Sequence, residues 1–443
     1  MKVLNSFYLS SRFFIVISTL VFLFVLSYFI QSLLVITNLI FAIVVFLILA
    51  DILILYLNKK GIFAHRVTPN RFSNGDENEI KIFIENHYSF NVHCKIIDEI
   101  PFEFQIRDLL FKLKLESGGS KIFSYFLRPV KRGEYNFGIT NIYASSPIGL
   151  VERRYKFEGT RIIPVYPSYV QMKKYELIAI SNRLTEAGIK RMRRVGHSME
   201  FEHIKEYVRG DDYRTINWKA TARKANLMVN HFEDEKSQQV YSVIDIGRVM
   251  KMPFEGMSLL DYAINSSLVI SSIVMNKHDK AGVVTFSNKV NNILPAKRQA
   301  RQMQKIQEVL YNLKTDFLES DFEILSSSFL KKINHRSLVL LFTNFETLNA
   351  LQRQLAYLRR LAQTHLVIII FFVNTELFEL IDKPAKNVEE IYFKTIAEKF
   401  AFEKRLIIKE LARYSIQSIL TTPQNLSVNT INKYLELKAR GLI

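Results

Sequence analysis

Cysteine is almost missing from this chain of 443 residues: Cys94 stands alone. A lone thiol forms no internal disulfide and excludes cysteine-cluster metal sites. It fits a reducing compartment and reads as a small strand hydrophobe. His65, His87 and His93 share no ligand spacing, and His203 and His231 lie too far apart in sequence to pair locally. No nucleophile stands beside a base, so no hydrolytic or transfer constellation is in view. Acid is scarce relative to base, with 42 acidic against 60 basic residues and a net charge of +18. That balance fits nucleic acid, anionic lipid or an acidic protein partner. The basic residues are spread, and their densest run, Lys190-Arg191-Met-Arg193-Arg194, has no interleaved aromatics. It reads as a solvated or lipid-facing linker, and nucleic acid is not expected.

Long uncharged runs are confined to the beginning of the chain. Residues 13–36 carry no charge, and 39–57 carry only Asp51. Each is long enough to span a bilayer. No small-residue cleavage site follows the first run and a second comes at once, so a secretory leader is not expected. Lys2 and Arg12 precede the pair, Lys59, Lys60, Arg66 and Arg71 follow it, and the connecting turn has neither Lys nor Arg. The positive-inside rule puts both ends and all soluble parts in the cytoplasm. Asp51, close to Asn58-Lys59-Lys60, reads as an interfacial carboxylate. The run 366–373 holds only eight apolar residues and reads as a core strand.

Four segments follow: a transmembrane hairpin over 1–60, an all-β sandwich over 61–168, a linker over 169–236 and an α/β domain over 237–443. In the second, 80–84, 92–97 and 122–127 alternate with period two, separated by turn signals such as Asn74-Gly75 and Gly118-Gly119. About seven short strands of this kind suggest an antiparallel sandwich acting as a spacer or protein-binding surface. In the fourth, strands are expected at 240–245, 281–287, 337–343, 366–373 and 416–420, with a shorter antiparallel strand near 290–294. Helices are expected at 258–275, 298–313, 321–332, 346–361, 388–413 and 428–439. This alternation implies a doubly wound, Rossmann-type sheet, with ligands at the carboxyl ends of the strands.

The linker carries the densest polar block, Arg209-Gly-Asp211-Asp212-Tyr-Arg214-Thr-Ile-Asn217-Trp218-Lys219-Ala-Thr-Ala-Arg223, which holds the only tryptophan. The aspartates can cap a helix over 212–223, with Arg214, Trp218 and Ala222 on one face. The arginines can fork onto Asp211, Asp212 or Glu206 as an internal clasp, or the block can be a recognition surface for an acidic partner.

Two resemblances bear on function. Asp245-Ile-Gly247-Arg248-Val249 sits where a von Willebrand factor type A domain carries its Asp-x-Ser-x-Ser magnesium motif, and the strand order is similar. Gly247 and Val249 stand in place of both serines, and Asn344 in place of an aspartate. The loop 314–321 offers Thr315, Asp316, Glu319, Ser320 and Asp321. The resemblance implies a degenerate metal site at Asp245 and Asn344, where Mg2+ is one option and structural loop capping the better one. The block from Tyr207 to Arg223 resembles the signature of a bacterial domain-of-unknown-function family, number 58. Phe126-Leu-Arg-Pro-Val-Lys-Arg-Gly-Glu-Tyr135, Ser146-Pro-Ile-Gly-Leu150 and Leu435-Glu-Leu-Lys-Ala-Arg440 match as well. That resemblance implies two N-terminal spans, a β-sandwich and a von Willebrand A-like domain. It also implies a physical link to MoxR-type AAA+ ATPases, chaperones of assembly or metal insertion.

The expectation is therefore a non-enzymatic adaptor in the bacterial inner membrane, without a resident cofactor. It would bind a MoxR-type AAA+ ATPase or its client, with anionic lipid as a further contact. A nucleic-acid-binding protein and a divalent-metal hydrolase at Asp245 are the alternatives.

Overall fold

The computed structural model describes all residues except 1–5, 59, 108, 181–198, 209–210, 225, 235–236, 316, 374–380, 382–383 and 385–386. The chain divides into two compact units, Met1–Tyr166 and Pro167–Ile443. The basic run 190–194 lies outside the described residues, as does Arg209.

The first unit begins with two apolar helices, α1 (Ser11–Phe29) and α2 (Leu33–Leu57). Both are long and apolar enough to cross a membrane, and most of their side chains face outward. A third helix of that kind, Leu259–Asn276, is instead core of the second unit. With 25 residues, α2 measures about 37 Å at ~1.5 Å per residue. That exceeds the roughly 30 Å hydrocarbon core, so its last turns have length to project beyond it.

The β-rich region that follows holds those turns. Its strands are β1 (Phe7–Leu9), β2 (Ile62–Val67), β3 (Phe72–Ser73), β4 (Asn78–Asn86), β5 (Val92–Asp98) and β6 (Leu110–Leu115). They continue with β7 (Ser120–Leu127), β8 (Gly133–Phe137), β9 (Thr140–Ser145), β10 (Val151–Phe157) and β11 (Arg161–Tyr166). Three sheets form, in the orders β1-β10-β9-β5-β6, β2-β4-β7 and β3-β11-β8. On β4 every second side chain is buried, Ile80, Ile82 and Ile84 among them, which is the period-two pattern of a one-sided sheet. Asp98 is buried at the end of β5, where Arg66 Nη1 at 2.6 Å and Thr140 Oγ1 at 2.7 Å compensate its charge, together with the Tyr125 hydroxyl.

Asp51 departs from the interfacial carboxylate expected of it. It is fully buried, and protein donors surround it. The backbone N–H groups of Leu150 and Val151 each donate to Oδ2 at 2.8 Å, and the Ser146 hydroxyl donates to Oδ1. Those donors come from the Ser146–Leu150 turn and the first residue of β10, which explains the residue types there. Gly149 sits at φ +72°, where a side chain is strained, and its missing Cβ leaves room for Arg12. The same turn accepts a hydrogen bond from the Ser10 hydroxyl at the start of α1, Gly149 O at 2.6 Å. The end of α2 exposes carbonyls that need donors. Arg153 Nη1 serves Leu55 O at 2.6 Å and Asn58 O at 2.8 Å, while its guanidinium lies over Tyr56 and Tyr155. Tyr88 serves Leu55 O as well, at 2.8 Å. One turn and one arginine therefore fix both apolar helices to the β-rich region.

The second unit is α/β. Its six-stranded sheet runs β18-β17-β14-β19-β20-β21, where β14 is Gln239–Asp245, β17 Lys280–Phe286, β18 Val290–Lys297, β19 Leu338–Phe342, β20 Leu366–Phe372 and β21 Gln417–Thr421. Only β18 is antiparallel. The hairpin strands β12 (Met199–Glu206) and β13 (Met228–Asp234) pair apart from it, and β15 (Pro253–Phe254) with β16 (Met257–Ser258) makes a minimal hairpin. The helices are α3 (Tyr169–Ile180), α4 (Trp218–Lys224), α5 (Leu259–Asn276), α6 (Gln302–Tyr311) and α7 (Phe322–Lys332). Then follow α8 (Leu348–Thr364), α9 (Val388–Arg413) and α10 (Leu426–Ala439). Alternation along β14 sends Val240 and Ile244 to one core with α5, α6 and α10, and Tyr241 and Val243 to another with α7, α8 and α9. Both faces of the sheet are thus covered. The terminal Leu435–Arg440 motif closes the first of these cores. Lys438 reaches the buried Asp279 at 2.5 Å and Lys277 O at 2.9 Å, and Tyr434 donates to the same carboxylate.

Asp51→Ala leaves a hydroxyl and two amides buried without an acceptor, so the first unit loses at least about 2 kcal/mol. Asp51→Asn keeps one acceptor oxygen and loses less. Pulse proteolysis in urea reads the difference, and wild-type resistance in Asp51→Ala would remove the clamp from the account.

Candidate functional site

Three features of the second unit bear residues with chemistry. The first is the polar block, which the structure resolves into the tip of the β12–β13 hairpin. The expected single helix over 212–223 is broken in two. A 3-10 turn, Tyr213–Thr215, is capped by Asp212, whose Oδ1 accepts from Arg214 N at 3.0 Å. Ile216 is extended and bridges to Val229. Asn217 then starts α4, its Oδ1 accepting from Ala220 N at 3.0 Å and its Nδ2 donating to Asn230 at 2.8 Å. Asn favours a cap over a helix interior, so the helix restarts there. Arg214 and Trp218 consequently do not share a helix face. Nor, among the described residues, do Arg214 and Arg223 fork onto Asp211, Asp212 or Glu206. Asp211 takes Lys205 at 2.9 Å and the Val208 amide, and Arg214 and Arg223 make no ion pair among the described residues. Trp218 is 71% exposed and Tyr213 69%, with Arg214, Lys219, Arg223 and Lys224 exposed around them.

The second feature is Asp245, at the carboxyl end of β14 and fully buried. Its Oδ2 accepts from Thr343 Oγ1 at 2.7 Å, and its Oδ1 accepts from Gly247 N at 2.8 Å and from the Ser320 hydroxyl. Burial raises its pKa above the usual carboxylate range, and those three hydrogen bonds oppose the rise. Ser320 comes from the loop after α6, which lies across the end of β14. Arg248 N bonds Leu318 O at 3.0 Å, Thr315 Oγ1 bonds Ile246 O at 3.2 Å, and Asp321 N bonds Ser287 O at 2.8 Å. A Cβ on Gly247 would lie 2.1 Å from Ser320 Oγ and 3.0 Å from Leu318 O. The hydroxyl missing at position 247 is therefore supplied by Ser320, and the glycine is what admits it. Asn344 faces a different partner, with its Oδ1 accepting from Lys404 Nζ at 2.7 Å. A magnesium ion needs several open oxygen ligands. Here three donors of the chain already occupy the carboxylate and the neighbouring amide oxygen holds an ammonium, so the donor set does not fit one.

The third feature is a pocket of about 280 Å³ beside this corner, at the ends of β19, β20 and β21. Its walls are apolar except for Asn344, Glu346, Lys404 and Arg405. Protein crowded around the Lys404 ammonium pushes its pKa down to about 8, with the field of Glu346 opposing.

Residues 203–383 match the family described as "Protein of unknown function DUF58". That stretch is a DUF58 domain. The DUF58 segment takes in the hairpin tip, Asp245 and Asn344, and stops short of α9 with Lys404. A stretch of 128 residues is 30% identical to the uncharacterized protein YeaD of Bacillus subtilis (strain 168). It makes up 28% of this chain and 31% of YeaD, so the chain spans about a third of that relative. Among solved structures, a CARDB domain from Pyrococcus furiosus aligns at TM-score 0.18 and 14% identity, over 24% of this chain and 86% of that one. Proximal thread matrix protein 1 from the mussel byssus aligns at TM-score 0.27 and 11% identity, over 46% of each chain. Neither likeness is high enough to bear on the DUF58 domain.

Of the residues at the corner, Asp245 and Asn344 stand out in the sequence as ends of strands. Ser320 is one of five polar candidates in its loop, and nothing local distinguishes it. Lys404 gives no signal beyond an ammonium four residues after Phe400 on a partly apolar helix.

Gly247→Ser drives a side chain into Ser320 and costs roughly 1–3 kcal/mol, in the range of overpacking. Ser320→Ala strips one donor from a buried carboxylate and costs a similar amount. Combined, they move the hydroxyl from one loop to the other, and the double variant recovers most of both losses in a denaturant double-mutant cycle. Additive losses would mean that the two side chains do not compete for one position.

Proposed function

We propose that this chain is a membrane-anchored, non-enzymatic scaffold whose hairpin tip binds a protein partner. The observation that carries the reading is the exposure of Trp218 and Tyr213 amid basic side chains that make no ion pair among the described residues. Buried tryptophans stabilise cores, whereas exposed Trp, Tyr and Arg together form the residue set that dominates binding energy at protein interfaces. Exposed basic side chains complement an acidic surface and speed encounter with it. The partner we propose is a MoxR-type AAA+ ATPase or its client, as the resemblance of residues 207–223 implies. The α/β unit is proposed as a von Willebrand A-like fold with its metal corner rebuilt from hydroxyls, and the β-rich region as a sandwich-type spacer. The distribution of Lys and Arg around α1 and α2 supports insertion in the bacterial inner membrane with both soluble parts in the cytoplasm.

Affinity capture from membranes tests this. The wild-type chain retains an AAA+ ATPase after nuclease treatment. Trp218→Ala lowers retention about tenfold, and Arg214→Glu with Arg223→Glu lowers it further. These positions are exposed, so the unfolding midpoint moves by less than about 0.5 kcal/mol equivalent. Unfolded variants would make the block a clasp. Unchanged capture would remove its role in binding, and capture lost to nuclease would turn the same face toward single-stranded nucleic acid.

A further inference from the structure

We propose that the pocket at the carboxyl edge of the sheet binds a small carboxylic acid with an apolar body, the carboxylate taken by Lys404. Phe254, Leu259, Phe372, Phe400 and Leu420 give the pocket an apolar wall, and about 280 Å³ suits a compact ligand. Lys404 is the one ammonium on that wall. Two of its three N–H donors are spent on Asn344 Oδ1 at 2.7 Å and Phe345 O at 2.5 Å, leaving one. As a residue it is partly exposed, and it lines the pocket.

Among the described residues no carboxylate lies within ion-pair distance of Lys404. Enclosed charges are ordinarily paired. The groups facing it are Asn344 and Glu346 beyond the end of β19, the Phe371 ring 5.5 Å away on β20, and Arg405 beside it on α9. Glu346 favours the charged amine through its field without pairing to it. Its negative charge also selects a singly charged ligand over a doubly charged phosphate. A monocarboxylate with an aliphatic or aromatic body supplies both the missing counter-charge and the filling of the apolar space. The lowered pKa of Lys404, about 8, means the free site is half-protonated near that pH. Binding of an anion therefore weakens as pH rises above it.

The test is calorimetric titration of the full chain in lipid nanodiscs with 3-phenylpropanoate and the matched alcohol 3-phenylpropan-1-ol. At pH 7 the acid binds at least tenfold more tightly than the alcohol. That preference shrinks at pH 9.5, disappears in Lys404→Met and survives in Lys404→Arg. Trp218→Ala does not change it, which separates this site from the hairpin. The proposal is overturned if acid and alcohol bind equally, if neither binds, or if Lys404→Met keeps the preference while folded.

Discussion

A carboxylate removed from water must find donors or lose its charge, and Asp245 finds three within its own chain: Thr343, Ser320 and the amide of Gly247. Much of the second unit's carboxyl edge depends on that requirement. Ser320 can reach the carboxylate only because position 247 has no side chain. The loop that carries Ser320 must then lie across the end of β14, where backbone bonds from Arg248 and Asp321 secure it. With the loop in place, the corner at the end of β14 is closed. The neighbouring Asn344 is free to orient Lys404 toward the pocket beside it.

The first unit uses the same device for a different end. Asp51 lies on an apolar helix, where an ionised group is costly unless protein surrounds it. The segment Ser146–Val151 surrounds it with two amides and a hydroxyl, and Arg153 and Tyr88 donate to the carbonyls at the helix end. A helix anchored through backbone amides and carbonyls has little freedom to rotate against the β-rich region. Asp51 and Asp245 thus each fix a place where elements distant in sequence must meet.

How much of this was legible in the sequence depended on the range of the interaction. The α/β elements were readable because apolar strands and 3.6-period helices alternate plainly, and the ends of β14, β20 and α9 fall within a residue or so of expectation. The hairpin was not read as one. β12, Met-Glu-Phe-Glu-His-Ile-Lys-Glu, carries too much charge to look like a strand, and its pairing with β13 is a long-range fact. The break at Asn217 was in principle legible from its capping preference, but the spacing of Arg214, Trp218 and Ala222 suggested continuity. Asp51 and Ser146 lie 95 residues apart, and Asp245 and Ser320 lie 75 apart. Residue type alone named the acids; only the fold could name their donors. Lys404 left no trace at all, because its significance lies in the pocket and in the carboxylate that does not accompany it.

The central claim is that the chain's own hydroxyls, and not a divalent cation, satisfy Asp245. Manganese binding followed by electron paramagnetic resonance tests it most directly. The account predicts that the full-length chain and its Asp245→Asn variant bind Mn2+ indistinguishably, with no tight site in either. One tightly held Mn2+ per wild-type chain, lost in Asp245→Asn while that variant stays folded, would contradict it.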